Sequence, residues 1–495
     1  RHYDLFKRCI PGTLTDSASN HAWTVQAGDV LDKVEIHLMH GGTILLDNIR
    51  IWTRDARGKV EQARRLLASF EAEQERSARL RALSAENAKL LERQRLNWAE
   101  ARAHYSEVVR AVRRHEHVRT YLAAAVKAFG KNPAFAIGNE HPLVRISDRH
   151  WKYPFRGRVA GAVELSSARN EYESFQAVID PLGKELKGVN VRFSDLKLTG
   201  GNDSIPAANL TWRTQPYVQP LPCYGYQGYD LIAPKPDPLL PGKPFDLPAH
   251  RLKPLWITVY TPPDAPAGEY QGAMTVTARG CRPHRLKIKL RVWDYAIPRT
   301  GRFRCQTHMN MRPVEKFYGR KFDQAWRRQW YAFLLRYRFS PTQQYSRAFS
   351  PHPDDIEFCK GRGCNVWILG GLSGKKDVPV DEFRKRYEIA RKRGILPYCH
   401  VYIGDETSNF ALMRKKANIL HANFPGLKVM IGGSRPRKEL IGYIDIWDPI
   451  IDTNKLYGFS PEEMRQARGR GEEVMWYVAS SPQHPYPNVH IGDPA

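Results

Sequence analysis

Long apolar runs are missing from this chain. No stretch of roughly 18 consecutive apolar residues occurs, so no membrane-spanning helix is expected. Acidic residues are in deficit: 51 Asp and Glu against 77 Lys and Arg leave a formal net charge of +26 over 495 residues. That balance suits an anionic partner, whether nucleic acid, an acidic polysaccharide or a membrane surface. The basic residues are spread over every segment instead of forming one stripe, so solvated charged faces explain them equally well. No nucleic-acid-binding motif accompanies them, and no nucleic-acid partner is expected. Cysteine is sparse. Cys9, Cys223, Cys281, Cys305, Cys359, Cys364 and Cys399 are mostly far apart. Cys359 and Cys364 are the one close pair, and no second pair or His cluster completes a zinc site. Structural thiols are expected, with a Cys359–Cys364 disulfide as the alternative, and neither metal nor cofactor is called for. No signal peptide is visible after Arg1.

Hydrophobic residues make up 42% and aromatics 11%, enough to bury cores in about three or four domains. Residues 1–55 read as β. His21-Ala22-Trp23-Thr24-Val25, residues 33–39 and residues 43–51 are strand-like around the Gly41-Gly42-Thr43 turn. The Gly-Thr-apolar-apolar-Asp-Asn-Ile stretch resembles the closing strands of a jelly-roll carbohydrate-binding module. A sandwich needs about 100 residues, so the start of this partial domain is expected to lie upstream.

Residues 56–130 contain no proline and are rich in Ala, Leu, Glu and Arg. Apolar residues recur at helical spacing: Val60, Ala63, Leu66, Leu67 and Phe70, then Leu80, Leu83, Leu90 and Leu91. One unbroken helix would be about 105 Å long. Such a length suggests a coiled coil capable of self-association, or a helical hairpin with Ser84 capping its second helix. Gly130 and Pro133 end the segment.

Residues 134–300 alternate polar and apolar over short runs (158–165, 174–179, 189–193, 210–218, 255–260, 271–277, 285–292), which predicts a β-sandwich. A Pro-rich loop over 217–254 carries Tyr224, Tyr226 and Tyr229, placed either over a sugar site or against their own domain. From 301 to 495 short apolar runs (303–309, 338–344, 365–369, 395–402, 427–431, 443–447, 473–478) alternate with amphipathic helices. Repeated βα units predict a parallel sheet with right-handed crossovers. We expect a (β/α)8 TIM-like barrel lacking its last part. A doubly wound sheet is the alternative, but it would place a Gly-rich phosphate loop after its first strand, and Thr307-His308-Met309-Asn310-Met311 is not one.

The stretch that organises this region is Tyr402-Ile403-Gly404-Asp405-Glu406, two adjacent carboxylates where an apolar strand gives way to a loop and then a helix from about Ser408. In a barrel that position is the catalytic rim. Glycoside cleavage needs an acid for the leaving oxygen and a group that stabilises an oxocarbenium-like centre, usually two carboxyls roughly 5 to 9.5 Å apart. Neighbouring Cα atoms are only about 3.8 Å apart, and neighbours in a regular strand face opposite ways. A nucleophile–acid pair is therefore awkward here. A substrate-assisted route fits better: the sugar's 2-acetamido oxygen attacks, Asp405 holds the acetamido N–H and stabilises the oxazolinium, and Glu406 is acid and then base. A lone Asp-Glu pair is equally well a helix N-terminal charge or cap.

Further motifs narrow that choice. Ala168-Arg169-Asn170-Glu171-Tyr172-Glu173-Ser174-Phe175-Gln176 and Asp237-Pro238-Leu239-Leu240-Pro241 resemble the sandwich signature of proteins related to glycoside hydrolase family 123. So does Leu255-Trp256-Ile257-Thr258-Val259, followed by residues 265–272. Val292-Trp293-Asp294-Tyr295 with Ile297-Pro298 resembles the family's exit into its barrel. Tyr402-Ile403-Gly404-Asp405-Glu406 matches its catalytic Asp-Glu motif, and Trp476-Tyr477 with Pro482 and Pro485-Tyr486-Pro487-Asn488 resembles its late-barrel segment. The resemblance runs from about 140 to 495. It implies a β-N-acetylgalactosaminidase, with a sandwich and a TIM-like barrel, acting by the substrate-assisted route with Asp405 and Glu406 as the catalytic pair. The family's tyrosine that contacts the acetamido carbonyl corresponds to Tyr443 or Tyr477. The family chain continues beyond the Pro-Asn segment, so a final barrel strand is expected downstream of Ala495.

Strand-end residues expected to line the pocket are His308, Asn310, Tyr402, Trp447, Asp448, Trp476 and Tyr477. Arg435, Arg437 and Lys438 would meet a sulfate or carboxylate, or simply solvate a helix start. His400 lies within the key strand and is expected in the core. The expected partner is a glycan, anionic or sulfated, met outside the cell or in the periplasm. The rival readings are a non-catalytic carbohydrate-binding protein on the same scaffold and a glycosidase of other sugar specificity.

Overall fold

The computed structural model describes residues 55–144, 146, 158–159, 162–218, 235–249, 251–374, 377–450 and 460–477. The expected jelly-roll strands, Tyr224, Tyr226, Tyr229 and the segment from Pro482 to Asn488 lie outside the described residues. The chain divides into two compact units, one reaching Asp294 and the other running from Tyr295 with residues 168–170.

In the first unit the helical segment is broken into α1 (Ala56–Ala68), α2 (Glu71–Gln74), α3 (Ala78–Glu92) and α4 (Trp98–Phe129). Asp55, Ser77 and Asn97 cap α1, α3 and α4, each accepting a backbone N–H with its side chain, and each such cap contributes about 1 kcal/mol. Ser84 is not a cap. It lies inside α3, and its hydroxyl donates to Gln74 Oε1 at 2.8 Å. Val60, Leu90 and Ala101 form one buried layer, and Ala63, Leu67, Leu80, Leu83, Val108 and Val112 the next. Those layers run α3 antiparallel to both α1 and α4, so the single long helix is replaced by helices laid side by side. The apolar stripes read from the sequence are turned onto one another.

The segment also has a body to lie on. Tyr121 of α4 packs with Ile146, Val178 and Leu252, and His117 Nε2 lies 2.5 Å from Asp180 Oδ2 in a buried contact. Val178 faces the helix because its neighbours Ala177 and Ile179 face the sandwich core. That core lies between two antiparallel sheets. One contains Leu210–Thr214, Lys253–Thr261, Glu171–Asp180 and Ala136–Glu140, and the other Leu186–Phe193, Gly268–Thr277, His284–Ala296 and Val163–Arg169. Alternation with period two is visible in Leu286, Ile288, Leu290 and Val292, all in the core. The single strand expected over 158–165 is instead two, Arg158–Val159 and Val163–Arg169, in different sheets.

The second unit alternates strands and helices. Gln306–His308 pairs in parallel with Ser340–Thr342. Trp367–Gly371, Cys399–Asp405, Lys428–Gly432, Ile446–Asp448 and Glu473–Val474 form a five-stranded parallel sheet in chain order. Helices Gln324–Arg336, Val380–Lys392, Phe410–Asn423 and Pro461–Gly469 fall between successive strands. Among the described residues no ladder joins the two sheets or returns from the last strand to the first. The expected helix from Ser408 starts at Phe410 under an Asn409 cap, and the expected strand over 395–402 is shifted to Cys399–Asp405 because residues 396–398 form a 3-10 turn. Cys359, Cys364 and Cys399 are buried free thiols, and burial holds Cys359 and Cys399 far above the ordinary thiol range.

Lys416 is a buried anchor beneath the key strand. Its ammonium donates to Leu372 O at 2.8 Å and Ile403 O at 2.9 Å. Lys416→Met keeps the length but leaves both carbonyls unsatisfied. It should cost about 1–3 kcal/mol, measured as a lower urea midpoint at unchanged m-value; an unaltered midpoint would show that the lost bonds are offset by relief of the buried charge.

Candidate active site

The two faces of the five-stranded sheet are chemically distinct. Val401, Ile403, Val429, Ile431 and Trp447 point into the helix-side core. Tyr402, Met430 and Ile446, paired across the strands, form a buried layer on the other face. In a regular strand Asp405, three residues after Tyr402, would share the face of Ile403. A register shift between Tyr402 and Gly404 changes that phase. Gly404 comes opposite Ile431, and Asp405 opposite Gly432, which in turn pairs with Asp448. Asp405, Gly432 and Asp448 therefore form the last rung on the Tyr402 face, at the carboxyl ends of three parallel strands.

Glu406 follows with φ of +41°, the left-handed region that a non-glycine residue rarely adopts. Its N–H donates to Gly432 O at 3.1 Å. Two glycines make room for the arrangement: a Cβ on Gly432 would overlap the Tyr402 hydroxyl, and one on Gly433 would overlap Glu406 Cγ. Gly432 is thus the empty place between two aspartates, filled from below by a phenol.

Three tyrosines serve the carboxylates. Tyr345 Oη donates to Asp405 Oδ2 at 2.9 Å, and Tyr477 Oη donates to Glu406 Oε1 at 3.3 Å. The Tyr402 ring packs edge-on against Tyr345, centroids 5.5 Å apart. Burial raises Tyr402 and Tyr477 well above the ordinary phenol range, and the neighbouring carboxylate charges add to it. Tyr345 is raised by partial burial and by its bond to Asp405. All three remain protonated donors across the range in which enzymes work. Asp448 is 6% exposed. Burial and the Asp405 charge push its carboxyl up to about 7.

The other expected site residues divide. Tyr477 meets Glu406, whereas Tyr443 packs against the helix-side core. Trp447 is fully buried, with its indole N–H donated to Glu472 Oε2 at 2.7 Å. It has no free face for a sugar, because it sits one residue out of phase with Asp448. His308 lies edge-on to Tyr345 at 4.9 Å. Asn310 is exposed and accepts Arg312 N–H at 3.3 Å. Trp476 is half exposed beside Tyr477. His400 is buried on the Tyr402 face with neither ring nitrogen bonded. Burial and the charges of Arg304 and Lys428 hold it neutral, at about 3. Arg435, Arg437 and Lys438 are exposed, and Arg435 lies 3.9 Å from Glu463. Tyr345 escaped the sequence reading, although it stands three residues past a strand end in the polar run Gln343-Gln344-Tyr345-Ser346. Among the described residues no group of three His, Cys, Asp or Glu side chains is placed to hold a metal ion.

Residues 159–278 match the model of the glycoside hydrolase 123 N-terminal domain. A family 123 glycoside hydrolase from Clostridium perfringens, described in work on glycolipid glycan hydrolysis, superposes with a TM-score of 0.53 at 12% identity, covering 72% of this chain and 74% of that one. Residues 159–278 thus resemble the N-terminal domain of family 123 glycoside hydrolases, and the fold resembles that of a family 123 enzyme over most of the chain. Two further solved structures align far less well. The GH5 xyloglucanase of Bacteroides ovatus covers 63% of it and 76% of itself at 11% identity and a TM-score of 0.16. The PapD-like domain of human CEP192 covers 28% and 84% at 12% identity and 0.17. No curated protein matches.

Proposed function

We propose that this chain is a glycosidase that releases terminal β-linked N-acetylgalactosamine with retention of configuration. The observation that carries the reading is the pair itself: Asp405 and Glu406 at the carboxyl end of the second of five parallel strands, each accepting a different tyrosine hydroxyl. The substrate's acetamido oxygen attacks the anomeric carbon as the glycosidic C–O bond breaks. Glu406 gives its proton to the departing oxygen. Asp405, ionised and held by Tyr345, accepts the acetamido N–H and stabilises the positive charge of the oxazolinium. Glu406, now a carboxylate, takes a proton from water as the water opens the ring, which restores the acid. Tyr477 keeps Glu406 aimed through both steps, and exposed Trp476 offers a ring face for the sugar. A glycolipid or glycan terminus is the substrate class, by likeness to the Clostridium perfringens enzyme. The excess of basic residues would favour an anionic or sulfated glycan. Action outside the cell or in the periplasm follows from that substrate; among the described residues no helix is long and apolar enough to cross a membrane.

The test is a panel of aryl β-glycosides of GalNAc, GlcNAc, galactose and glucose. Turnover should be confined to the N-acetylated sugars. Galactoside cleaved as fast as its N-acetyl counterpart would overturn the mechanism, because galactose has no acetamido oxygen. Tyr345→Phe should lower kcat about fivefold to tenfold, the worth of roughly 1 to 1.4 kcal/mol for one partly exposed bond to a carboxylate, with little change in KM. A pure KM effect would place Tyr345 on the substrate instead of on Asp405.

A further inference from the structure

The strand-end rung holds a second aspartate that the mechanism above does not use. Asp405 and Asp448 flank Gly432 in register on three adjacent parallel strands. Gly432 contributes no side chain between them, and the Tyr402 hydroxyl fills the space beneath it. The strand bearing Asp448 is fixed there, since Gly433 N–H donates to Asp448 O at 2.9 Å. Asp448 is all but enclosed. Among the described residues the titratable groups that act on it are Asp405 from its second-neighbour strand, Tyr345 from the loop after Ser340–Thr342, and Tyr477 from the segment after Glu473–Val474. None of these is a cation. Burial first, and the Asp405 charge after it, favour the neutral form of the Asp448 carboxyl, so the rung lowers its energy by keeping one proton on Asp448.

We infer that Asp405 and Asp448 form a coupled acid pair that carries a single proton in the working site, held on Asp448, so that Asp405 alone is charged and Asp448 acts as its positioning residue. This rests on the glycosidase reading for its kinetic consequence but not for its existence. The direction with pH follows from the coupling. Asp448 keeps its proton until about pH 7, and its loss there puts a second charge into the rung and drives the Asp405 carboxylate out of line. The alkaline fall in activity therefore has two sources: loss of the Glu406 proton that the leaving oxygen needs, and ionisation of Asp448. The three tyrosines, raised above the ordinary phenol range, do not contribute to that limb.

Two measurements on the full chain decide the matter. The first needs no turnover: carbon-13 NMR of side-chain carboxyls in protein labelled at aspartate. One aspartate should titrate near pH 7, vanish in Asp448→Asn, and move down by about one unit or more in Asp405→Asn, where the like charge is gone. If every aspartate titrates below about pH 5, or if the neutral-pH signal survives Asp448→Asn, the pair is overturned. The second is the pH profile of kcat/KM, read for its shape and not its height. Asp448→Asn, isosteric with the neutral acid, should make the alkaline limb shallower, leaving only the part due to the Glu406 acid, and at pH 6 should lose less activity than Asp448→Ala. An alkaline limb of unchanged shape in Asp448→Asn overturns the proposed role. If hydrolysis persists undiminished in Glu406→Gln and Asp405→Asn, it is the glycosidase assignment that fails, and the NMR titration still decides on the pair.

Discussion

Glu406→Gln should lower kcat/KM on an aryl β-N-acetylgalactosaminide by about 10²–10⁴-fold, the usual contribution of a positioned acid–base group. The amide keeps the size of the side chain and can still meet the Tyr477 hydroxyl, which lies 3.3 Å from Oε1 in the native site. It cannot give up a proton. The left-handed backbone at Glu406 and the missing Cβ at Gly433 set where the side chain points, and neither depends on its charge. The loss should therefore appear without loss of fold. It should also depend on the leaving group. A strongly acidic phenol departs without help, so its release in Glu406→Gln should fall least, and a simple alkyl glycoside should fall most. Equal losses across leaving groups, in a variant that melts like the native protein, would show that Glu406 does not protonate the departing oxygen.

Asp405→Asn should reduce kcat by about 10²–10³-fold, the cost of removing one preorganised electrostatic partner of the transition state. Here the partner is a full charge beside the developing oxazolinium. Asparagine can still accept a bond from Tyr345, which reaches Asp405 Oδ2 at 2.9 Å in the native site, so the substitution isolates charge from position. KM should change little, because the neutral ground-state acetamide gains less from the carboxylate than the cationic intermediate does. A change confined to KM would mean that Asp405 binds substrate without serving the reaction. The two variants also differ in pattern: the loss in Asp405→Asn should be insensitive to leaving-group acidity, whereas the loss in Glu406→Gln tracks it.

Much of the local order could be read along the chain. Asp405 and Glu406 stand out because an apolar run ends just before them and a helical pattern begins just after. Asp448 likewise marks a strand end, and Tyr477 an isolated bridge just past one. What the residues between 443 and 448 could not show is which of two neighbours faces the site. Trp447 and Asp448 differ by one position, and only the pairing of Gly432 with Asp448 sends the carboxyl to the Tyr402 face and the indole into the helix-side core. Tyr345 was invisible for a related reason. Its partner is 60 residues away in sequence, and that of Tyr477 is 71 away, distances over which no spacing rule operates.

The helical segment teaches the same distinction. Its period and its absence of proline predict helix throughout, and helix is what forms over most of it. Its breaks, and the layers that turn α1, α3 and α4 onto one another, depend on the caps at Ser77 and Asn97 and on the sandwich face at Val178. By itself, then, the sequence determined the kinds of element, their order and the strand end at which paired acids stand, because hydrophobic period, caps and turns act within a few residues. Only the tertiary structure decided which face each acid takes and which tyrosine holds it. A one-residue shift at Ile403–Gly404 reverses the facing of Asp405, and that shift is set by pairing with strands that the chain reaches tens of residues later.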